Sequence, residues 1–211
     1  MMPNFHLKVL PPLQLQLWND FQPQSDFLNS QGFYLAGGTA LALQMGHRQS
    51  LDFDFFSQKS DVADPLSERL QQFPNFLLRE TDADTIHAEI AGVKVSFIGH
   101  YKYPLVAECA TLGTIRLAGI LDIGLMKLLA ITHRATFRDY LDLAIILRDK
   151  IPLPELLQAS TKKYGGHFNV MICLKALVSF QDVDQEEPKI LDLKLKSSWQ
   201  DILTQAVKQV A

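Results

Sequence analysis

The chain has 211 residues, of which 47% are hydrophobic and 20% charged, and its 20 basic and 23 acidic side chains leave a net charge of -3. This composition supplies a sizeable apolar core, disfavours a largely disordered chain, and lacks the overall basic excess of many nucleic-acid-binding proteins. With no signal-peptide pattern and no apolar run near the ~18–20 residues of a membrane span, we expect a cytoplasmic protein without a membrane partner. Cys109 and Cys173 lack metal-type spacing and are expected to be free thiols.

The first part of the chain combines short helices with short strands. Apolar residues recur at helical spacing over residues 11–30, where Pro23 interrupts the pattern and predicts a broken helix or two short helices. The segment GFYLAGG predicts a short strand, and TALALQMG predicts a helix that ends at Gly46. Alternation of apolar and polar residues over 51–55 predicts a strand, and DPLSERLQQF predicts a helix with Asp64 as its N-cap.

The second part changes from extended chain to helices. Residues 76–99 are predicted to be extended, with a hairpin that turns near Ala91 and Gly92. A short strand at 114–117 precedes two apolar helices, AGILDIGLMKLLAITHR and TFRDYLDLAIILRDK. Further helices are predicted at about 154–164, 168–180 and 198–210. The acidic run QDVDQEEP predicts a solvated loop.

These patterns predict an α+β protein in two parts. Residues 1–117 are expected to form an α/β core, a small mixed sheet with flanking helices, and residues 118–211 a helical C-terminal region that completes the site.

Two carboxylates share one face of the predicted strand, because alternate side chains of a strand point the same way. Asp52 and Asp54 would lie about 7 Å apart along the strand and repel each other in a partly buried site. A divalent cation between them relieves that repulsion, and oxygen ligands of this kind suit Mg²⁺. Taken alone, the D-x-D pattern is explained better by a strand with one solvated face than by a metal site.

The residues before this strand favour a phosphate ligand. Gly37 and Gly38 let backbone approach a ligand closely, and Thr39 lies at the start of a helix, where amides and the helix dipole favour an anion. We therefore predict that the two aspartates hold Mg²⁺ against a triphosphate bound at this turn. His47 and Arg48 can reach such a triphosphate or be ordinary surface residues.

A second group of charged residues follows in the helical half. Lys127 lies in an apolar helix, where an ammonium either extends to the surface or meets an anion. Arg134 would share its side and form a basic stripe with it. Asp139 and Asp142 share a face of the next helix, where the spacing of Arg138 and Asp142 also fits a surface salt bridge.

The segment GGTALALQMGHRQSLDFDFFS resembles the signature of the nucleotidyltransferase superfamily, in which G-[ST], a spacer and D-x-D follow one another. IAGVKVSFIGHYKYPLV and IRLAGILDIGLMKLLAITHRATFRDYLDLAIIL extend the similarity over residues 33–148, and the AbiEii/AbiGii toxin family (type IV toxin–antitoxin, MenT-like) is most similar. The resemblance implies a polymerase-beta-like fold and Mg²⁺-dependent transfer of a nucleoside monophosphate from a nucleoside triphosphate to a hydroxyl. It further implies tRNA or a protein as acceptor, and an antitoxin partner.

The resemblance also implies roles for the second group. Lys127 would bind nucleotide phosphate or leaving-group charge, and Asp142 would orient that lysine or transfer a proton, with Asp139 an almost equal candidate. Arg134 and Arg138 would bind phosphates or the acceptor. The complete nucleotide-binding prediction is Gly37, Gly38, Thr39, Arg48, Lys127, Arg134 and Arg138. The catalytic prediction is Asp52, Asp54, Lys127, Asp142 and Asp139, of which Asp52 and Asp54 hold the metal.

One position departs from the pattern of many nucleotidyltransferases. Ser96 stands where a third carboxylate is expected, and a neutral hydroxyl is a much weaker ligand and base. His87 and Glu89 would lie on the same polar side of the hairpin, where either can substitute for the carboxylate, although an ordinary exposed histidine is the favoured interpretation of His87. Two other functions therefore stay open: a non-catalytic or regulatory nucleotide-binding protein, and a small-molecule nucleotidyltransferase of the antibiotic-modifying kind.

Overall fold

The computed structural model of the chain describes residues 5–184 and 186–210. Residues 1–4, Gln185 and Ala211 lie outside this description. Two predictions are affected. The N-terminal bound of the first predicted part and the C-terminal bound of the second lie outside the described residues, and so does Gln185 of the predicted acidic loop. No α-helix in the described ranges is both long and apolar enough to cross a membrane.

The helices follow the predicted order with shifted ends. Within the described ranges they are α1 Pro12–Phe21, α2 Ser25–Ser30, α3 Gly37–Met45, α4 Ala63–Leu70, α5 Ile120–Ile131, α6 Phe137–Asp149, α7 Leu153–Tyr164, α8 Val170–Ala176 and α9 Leu193–Lys208. The helical prediction for residues 11–30 is confirmed as the two short helices α1 and α2. Gly46, the residue after the end of α3, has the left-handed conformation (φ 70°) that favours glycine. Asp64 is not the N-cap of α4: Val62 holds that position and Asp64 lies in the first turn.

The strands of the described residues form one seven-stranded mixed sheet. They are β1 Tyr34–Ala36, β2 Phe53–Phe56, β3 Phe76–Thr81, β4 Thr85–Ile90, β5 Val93–Ile98, β6 Ala110–Leu112 and β7 Ile115–Leu117, in the order β3-β4-β5-β2-β1-β7-β6. β2 runs parallel to β5 and antiparallel to β1. The predicted strand at 51–55 is shifted by two residues: Leu51 is exposed and Asp52 immediately precedes β2.

The hairpin of β4 and β5 has the predicted register. Ala91 and Gly92 have φ of 50° and 81°, the pair of positive angles that a two-residue turn needs to match the twist of its strands. As a result His87 lies opposite Ser96, and Glu89 lies opposite Lys94.

The sheet separates an aromatic core from the charged residues. On one face Trp18 and Phe21 of α1 pack against Phe53, and Phe21 also meets the rings of Phe55 and Phe97. Because neighbouring side chains of a strand point to opposite faces, Asp54 and Ser96 lie on the other side of the sheet.

A single hydrophobic core extends across the predicted boundary at residue 117. Buried Leu35 of β1 and buried Leu128 of α5 belong to the same cluster. Farther along, α9 packs against α6 through Trp199, whose ring meets those of Phe137 and Tyr140. The mixed α/β class is confirmed, whereas the division into two parts stays a prediction.

Candidate active site

A cleft of about 250 Å³ lies between α3, β2, α5 and α6. The predicted site residues that line it are Gly38, Thr39, Arg48, Asp52, Asp54, Lys127, Arg134, Arg138 and Asp139. The structure thus brings together residues that are far apart in the sequence. Gly37 and Asp142 do not line the cleft, and Ser50 and Thr136 line it without having been predicted.

The two glycines before α3 permit close approaches that a side chain would block. Gly37 has φ of 65°, and a Cβ atom there would lie 3.2 Å from Asp54 Oδ2. A Cβ atom on Gly38 would lie 2.2 Å from Arg48 Nη2, well inside van der Waals contact. Gly38 is therefore required by the packing of Arg48 against the start of the helix.

We expect Gly38→Ala to displace the Arg48 guanidinium and lower both stability and nucleotide binding. Overpacking of this kind typically costs about 1–3 kcal/mol. Thermal unfolding and nucleotide titration check the effect, with Gly166→Ala as the matched control because nothing lies within 4 Å of a Cβ atom there. Equal melting temperatures for the two variants would contradict the packing role of Gly38.

Thr39 connects α3 to the chain that carries the aspartates. Its hydroxyl donates to the carbonyl of Asp52 and lies 2.7 Å from Ser50 Oγ. The Thr39 side chain is buried. The hydroxyl therefore fixes Asp52 relative to the helix, whose first residues Gly38 and Thr39 line the cleft.

Asp142 lies at the centre of a buried charge cluster behind the cleft. Its Oδ1 accepts from Arg48 Nε at 2.7 Å and His47 Nε2 at 2.8 Å, and its Oδ2 accepts from Arg48 Nη2 at 2.8 Å. Lys127 Nζ also lies 2.8 Å from Oδ2. Although burial opposes ionisation, the charges of Arg48 and Lys127 and these hydrogen bonds hold the pKa of Asp142 well below its ordinary value. The interpretation of Arg138 and Asp142 as a surface salt bridge is therefore wrong, because Asp142 is buried.

His47 and Arg48 are not surface residues. Their side chains are buried beside Asp142, with relative exposures of 1% and 2%. Arg48 Nη1 donates to the carbonyl of Gln49, so three nitrogens of the guanidinium are engaged by the protein. Sequence reasoning missed His47 as part of the cluster, although its position beside Arg48 and before the D-x-D was the available signal.

His47 predicts a pH dependence of stability. Burial lowers its pKa below 6.5, so the unfolded chain binds more protons than the folded protein between that folded pKa and 6.5. The contribution of neutral His47 to the free energy of unfolding is therefore fully present above pH 6.5 and is lost as the pH falls toward the pKa of His47 in the folded protein. We expect His47→Gln, which keeps a donor near Nε2, to reduce the slope of stability against pH by up to about 1.4 kcal/mol per pH unit.

Denaturant unfolding between pH 7.5 and 5.0 measures that slope. His133→Gln is the control, because His133 is exposed. The assignment fails when His47→Gln and wild type show the same slope below pH 6.5.

Lys127 meets two carboxylates. Its Nζ lies 2.6 Å from Asp139 Oδ1 and 2.8 Å from Asp142 Oδ2, and the residue is only 7% exposed. Arg134 Nε donates to Asp139 Oδ2 at 2.7 Å. Because α5 ends at Ile131, Arg134 is not on the helix of Lys127, and the predicted basic stripe on one helix side is wrong. The two cations are instead joined through Asp139, which both contact. These two carboxylates account for two of the three N–H donors of Lys127, a residue that lines the cleft.

Asp52 and Asp54 face the cleft with little cationic compensation. Arg138 Nη1 lies 3.7 Å from Asp52 Oδ2, whereas no cation of the described residues lies within 4.0 Å of Asp54. Burial, and then the charge of Asp52, raise the pKa of Asp54. Two close carboxylates of this kind fit Mg²⁺, which keeps waters and takes phosphate oxygens as further ligands. The part of the chain that the structure describes contains no group of three or more His, Cys, Asp or Glu residues arranged as a metal site.

The fold is similar to that of solved bacterial structures. MenT4, a nucleotidyltransferase toxin from Mycobacterium tuberculosis, superposes with a TM-score of 0.66 at 16% identity, over 92% of this chain and 82% of that one. JHP933 from Helicobacter pylori superposes with a TM-score of 0.51 at 17% identity, over 92% of each chain. At these identities the likeness concerns the fold.

Sequence comparison gives the family. The model of the family described as nucleotidyl transferase AbiEii toxin, type IV TA system, matches residues 24–125. An uncharacterized protein from Aquifex aeolicus is 37% identical over 160 residues, 73% of this chain and 76% of that protein. The chain belongs to the AbiEii nucleotidyl transferase toxin family. The family match contains the glycine turn, the D-x-D and Ser96, and it ends before Lys127.

Proposed function

We propose that the protein is a Mg²⁺-dependent nucleotidyltransferase that moves a nucleoside monophosphate from a nucleoside triphosphate to a hydroxyl acceptor and releases pyrophosphate. The observation that carries this proposal is the cleft itself: Asp52 and Asp54 face Lys127, Arg134 and Arg138 across one cavity. Anionic metal ligands opposite phosphate-binding cations are what a triphosphate with its metal requires.

The start of α3 supports binding of the triphosphate. Ala36 at the N-cap has no side chain that can accept from the first-turn amides, and Gly38 and Thr39 line the cleft. Unpaired amides and the positive end of the helix dipole favour a phosphate at this place. The remaining N–H of Lys127 and the exposed guanidinium of Arg134 would neutralise further phosphate charge.

The two aspartates would hold the metal, which when bound neutralises phosphate charge and orients the α-phosphate for attack by the acceptor. Asp52 and Asp54 differ in setting, because the backbone of Asp52 is fixed by Thr39 while Asp54 is carried by β2. The protein's own contribution is to hold these ligands and the cations in position before the nucleotide arrives.

Asp142 is proposed to orient Lys127. It is fully buried, accepts from four donors and has a strongly lowered pKa, and these features favour a fixed anion over a group that exchanges protons. Asp139 reaches the cleft between Lys127 and Arg134, so it is proposed to set the direction of both cations. Arg48 would act mainly through its contact with Asp142.

Family membership supports a proposal for the acceptor and the partner. The AbiEii family is a toxin family of type IV toxin–antitoxin systems. We propose that the acceptor is a hydroxyl of tRNA or of a protein, that transfer takes place in the cytoplasm, and that an antitoxin limits its toxicity.

Transfer of α-³²P label tests the proposal. The purified protein is incubated with each labelled nucleoside triphosphate and Mg²⁺, together with total RNA or with total protein from the same extract. We expect label in one of the two fractions, its loss with EDTA, and its absence with Asp54→Asn. Label in neither fraction with any of the four nucleotides would contradict the proposed reaction.

One observation favours a second candidate, a nucleotide-binding protein without transferase activity. Ser96 pairs directly with Asp54 in the β2–β5 register, so no third carboxylate lies at that position. This candidate predicts Mg²⁺-dependent nucleotide binding by calorimetry together with no transfer to RNA, protein or added small-molecule hydroxyls.

A further inference from the structure

A row of three polar side chains extends from the cleft across the sheet. Asp54 of β2 pairs with Ser96 of β5, and Ser96 pairs with His87 of β4. Because paired residues of neighbouring strands carry their side chains on the same face of a sheet, the Ser96 hydroxyl lies beside the Asp54 side chain, where it can donate to the carboxylate. His87 Nδ1 lies 3.1 Å from Ser96 Oγ. The row therefore connects the least compensated carboxylate of the cleft with an imidazole outside it.

The number of protons determines the direction of these hydrogen bonds. An ionised Asp54 only accepts, so the hydroxyl proton of Ser96 is directed to it. Ser96 has no second proton for His87, and Nδ1 of His87 must then donate to Ser96 Oγ. In a neutral imidazole this arrangement places the proton on Nδ1, so Nε2 carries no proton.

We propose that Ser96 and His87 are positioning residues that hold the Asp54 carboxylate oriented for the metal. The proposal rests on the proposed function and concerns how this chain supports its metal ligand without a third carboxylate. Ser96 acts on Asp54 directly, and His87 acts through Ser96 by keeping the hydroxyl proton directed to the carboxylate. Hydrogen-bond partners of this kind commonly tune metal ligands.

The neighbouring residues leave His87 as the partner of Ser96. Glu89, the other predicted substitute for a carboxylate, is paired with Arg79 at 2.7 Å. Lys94 is opposite Glu89 in the strand register and is exposed. Among these residues of the hairpin, His87 alone makes the contact with Ser96 that the structure records.

Metal affinity tests the proposal without relying on turnover. Mn²⁺ alone is titrated into each protein and the free ion is followed by electron paramagnetic resonance. Loss of such a partner typically weakens metal affinity about 10–100-fold, which we expect for Ser96→Ala, with His87→Leu at the lower end of that range. His87→Asn should restore most of the loss, because its amide nitrogen lies near the position of Nδ1.

Kinetics give a second readout wherever transfer is measurable. Ser96→Ala and His87→Leu should raise the KM for Mg²⁺ more than they lower kcat at saturating Mg²⁺. Ser160→Ala is the control for loss of a buried serine hydroxyl, since Ser160 lies outside the cleft lining and should leave Mn²⁺ affinity unchanged.

The outcomes separate this inference from the proposed function. Wild-type protein that binds no Mn²⁺ overturns the metal assignment and the proposal with it. Wild-type protein that binds Mn²⁺ and loses it in Asp54→Asn, but not in Ser96→Ala, overturns the positioning role alone. Equal affinities of His87→Leu and wild type remove His87 from the proposal.

Discussion

Lys127→Met is expected to lose about 10²–10³ in the rate of nucleotidyl transfer, because a preorganised charge contact to phosphate is removed. The same change should lower stability. Lys127 is paired with Asp139 and Asp142, and the loss of hydrogen bonds to charged groups costs about 1.5–3 kcal/mol. Arg48 and Arg134 keep one cation beside each carboxylate, which limits the loss.

Lys163→Met is the matched control. The side chain of Lys163 is also buried, and its Nζ lies 2.6 Å from Asp122 Oδ1, outside the cleft. Its removal leaves Asp122 without that cation, so we expect a loss of about 3–5 kcal/mol, as for a broken buried ion pair. Activity per folded molecule should nevertheless stay near that of wild type.

Melting curves and label transfer on the two variants decide the role of Lys127. Transfer is measured at a temperature well below both melting midpoints, so that folded populations are equal. A fully active Lys127→Met protein would remove this residue from the catalytic proposal, and an inactive Lys163→Met protein would show that the assay responds to stability alone.

Asp54→Asn is expected to abolish measurable transfer and Mg²⁺-dependent nucleotide binding, because Asp52 then has no second carboxylate for the metal. Stability should rise or stay unchanged, in contrast to Lys127→Met. The raised pKa of Asp54 shows that burial and the charge of Asp52 disfavour its ionised form in the folded protein. Such a gain in stability with a loss of function is typical of residues placed for activity.

Calorimetry with Mg²⁺ and a non-hydrolysable nucleotide, together with thermal unfolding, measures both effects. Asp201→Asn on the exposed side of α9 is the control for loss of a carboxylate. Unchanged Mg²⁺–nucleotide affinity in Asp54→Asn would rule out its role as a metal ligand.

Local patterns in the sequence were sufficient to predict the helix and strand that carry part of the cleft. A glycine pair, a short helix and an alternating D-x-D are all local features, and they predicted that the start of α3 and the aspartates of β2 lie near one another. The two-residue turn at Ala91 and Gly92 likewise determined that His87 would lie opposite Ser96. In each case the interacting residues belong to one turn or to adjacent segments, whose geometry depends on backbone periodicity.

The partners of the buried charges were decided only by the tertiary structure. His47 and Asp142 are separated by 95 positions in the chain, and no periodicity relates them. The spacing of Arg138 and Asp142 indicated a surface pair, but packing of α6 against α3 and α5 buries Asp142 and turns it toward Arg48, His47 and Lys127. A buried carboxylate must find donors wherever the fold supplies them, because the cost of leaving it unpaired exceeds any local preference.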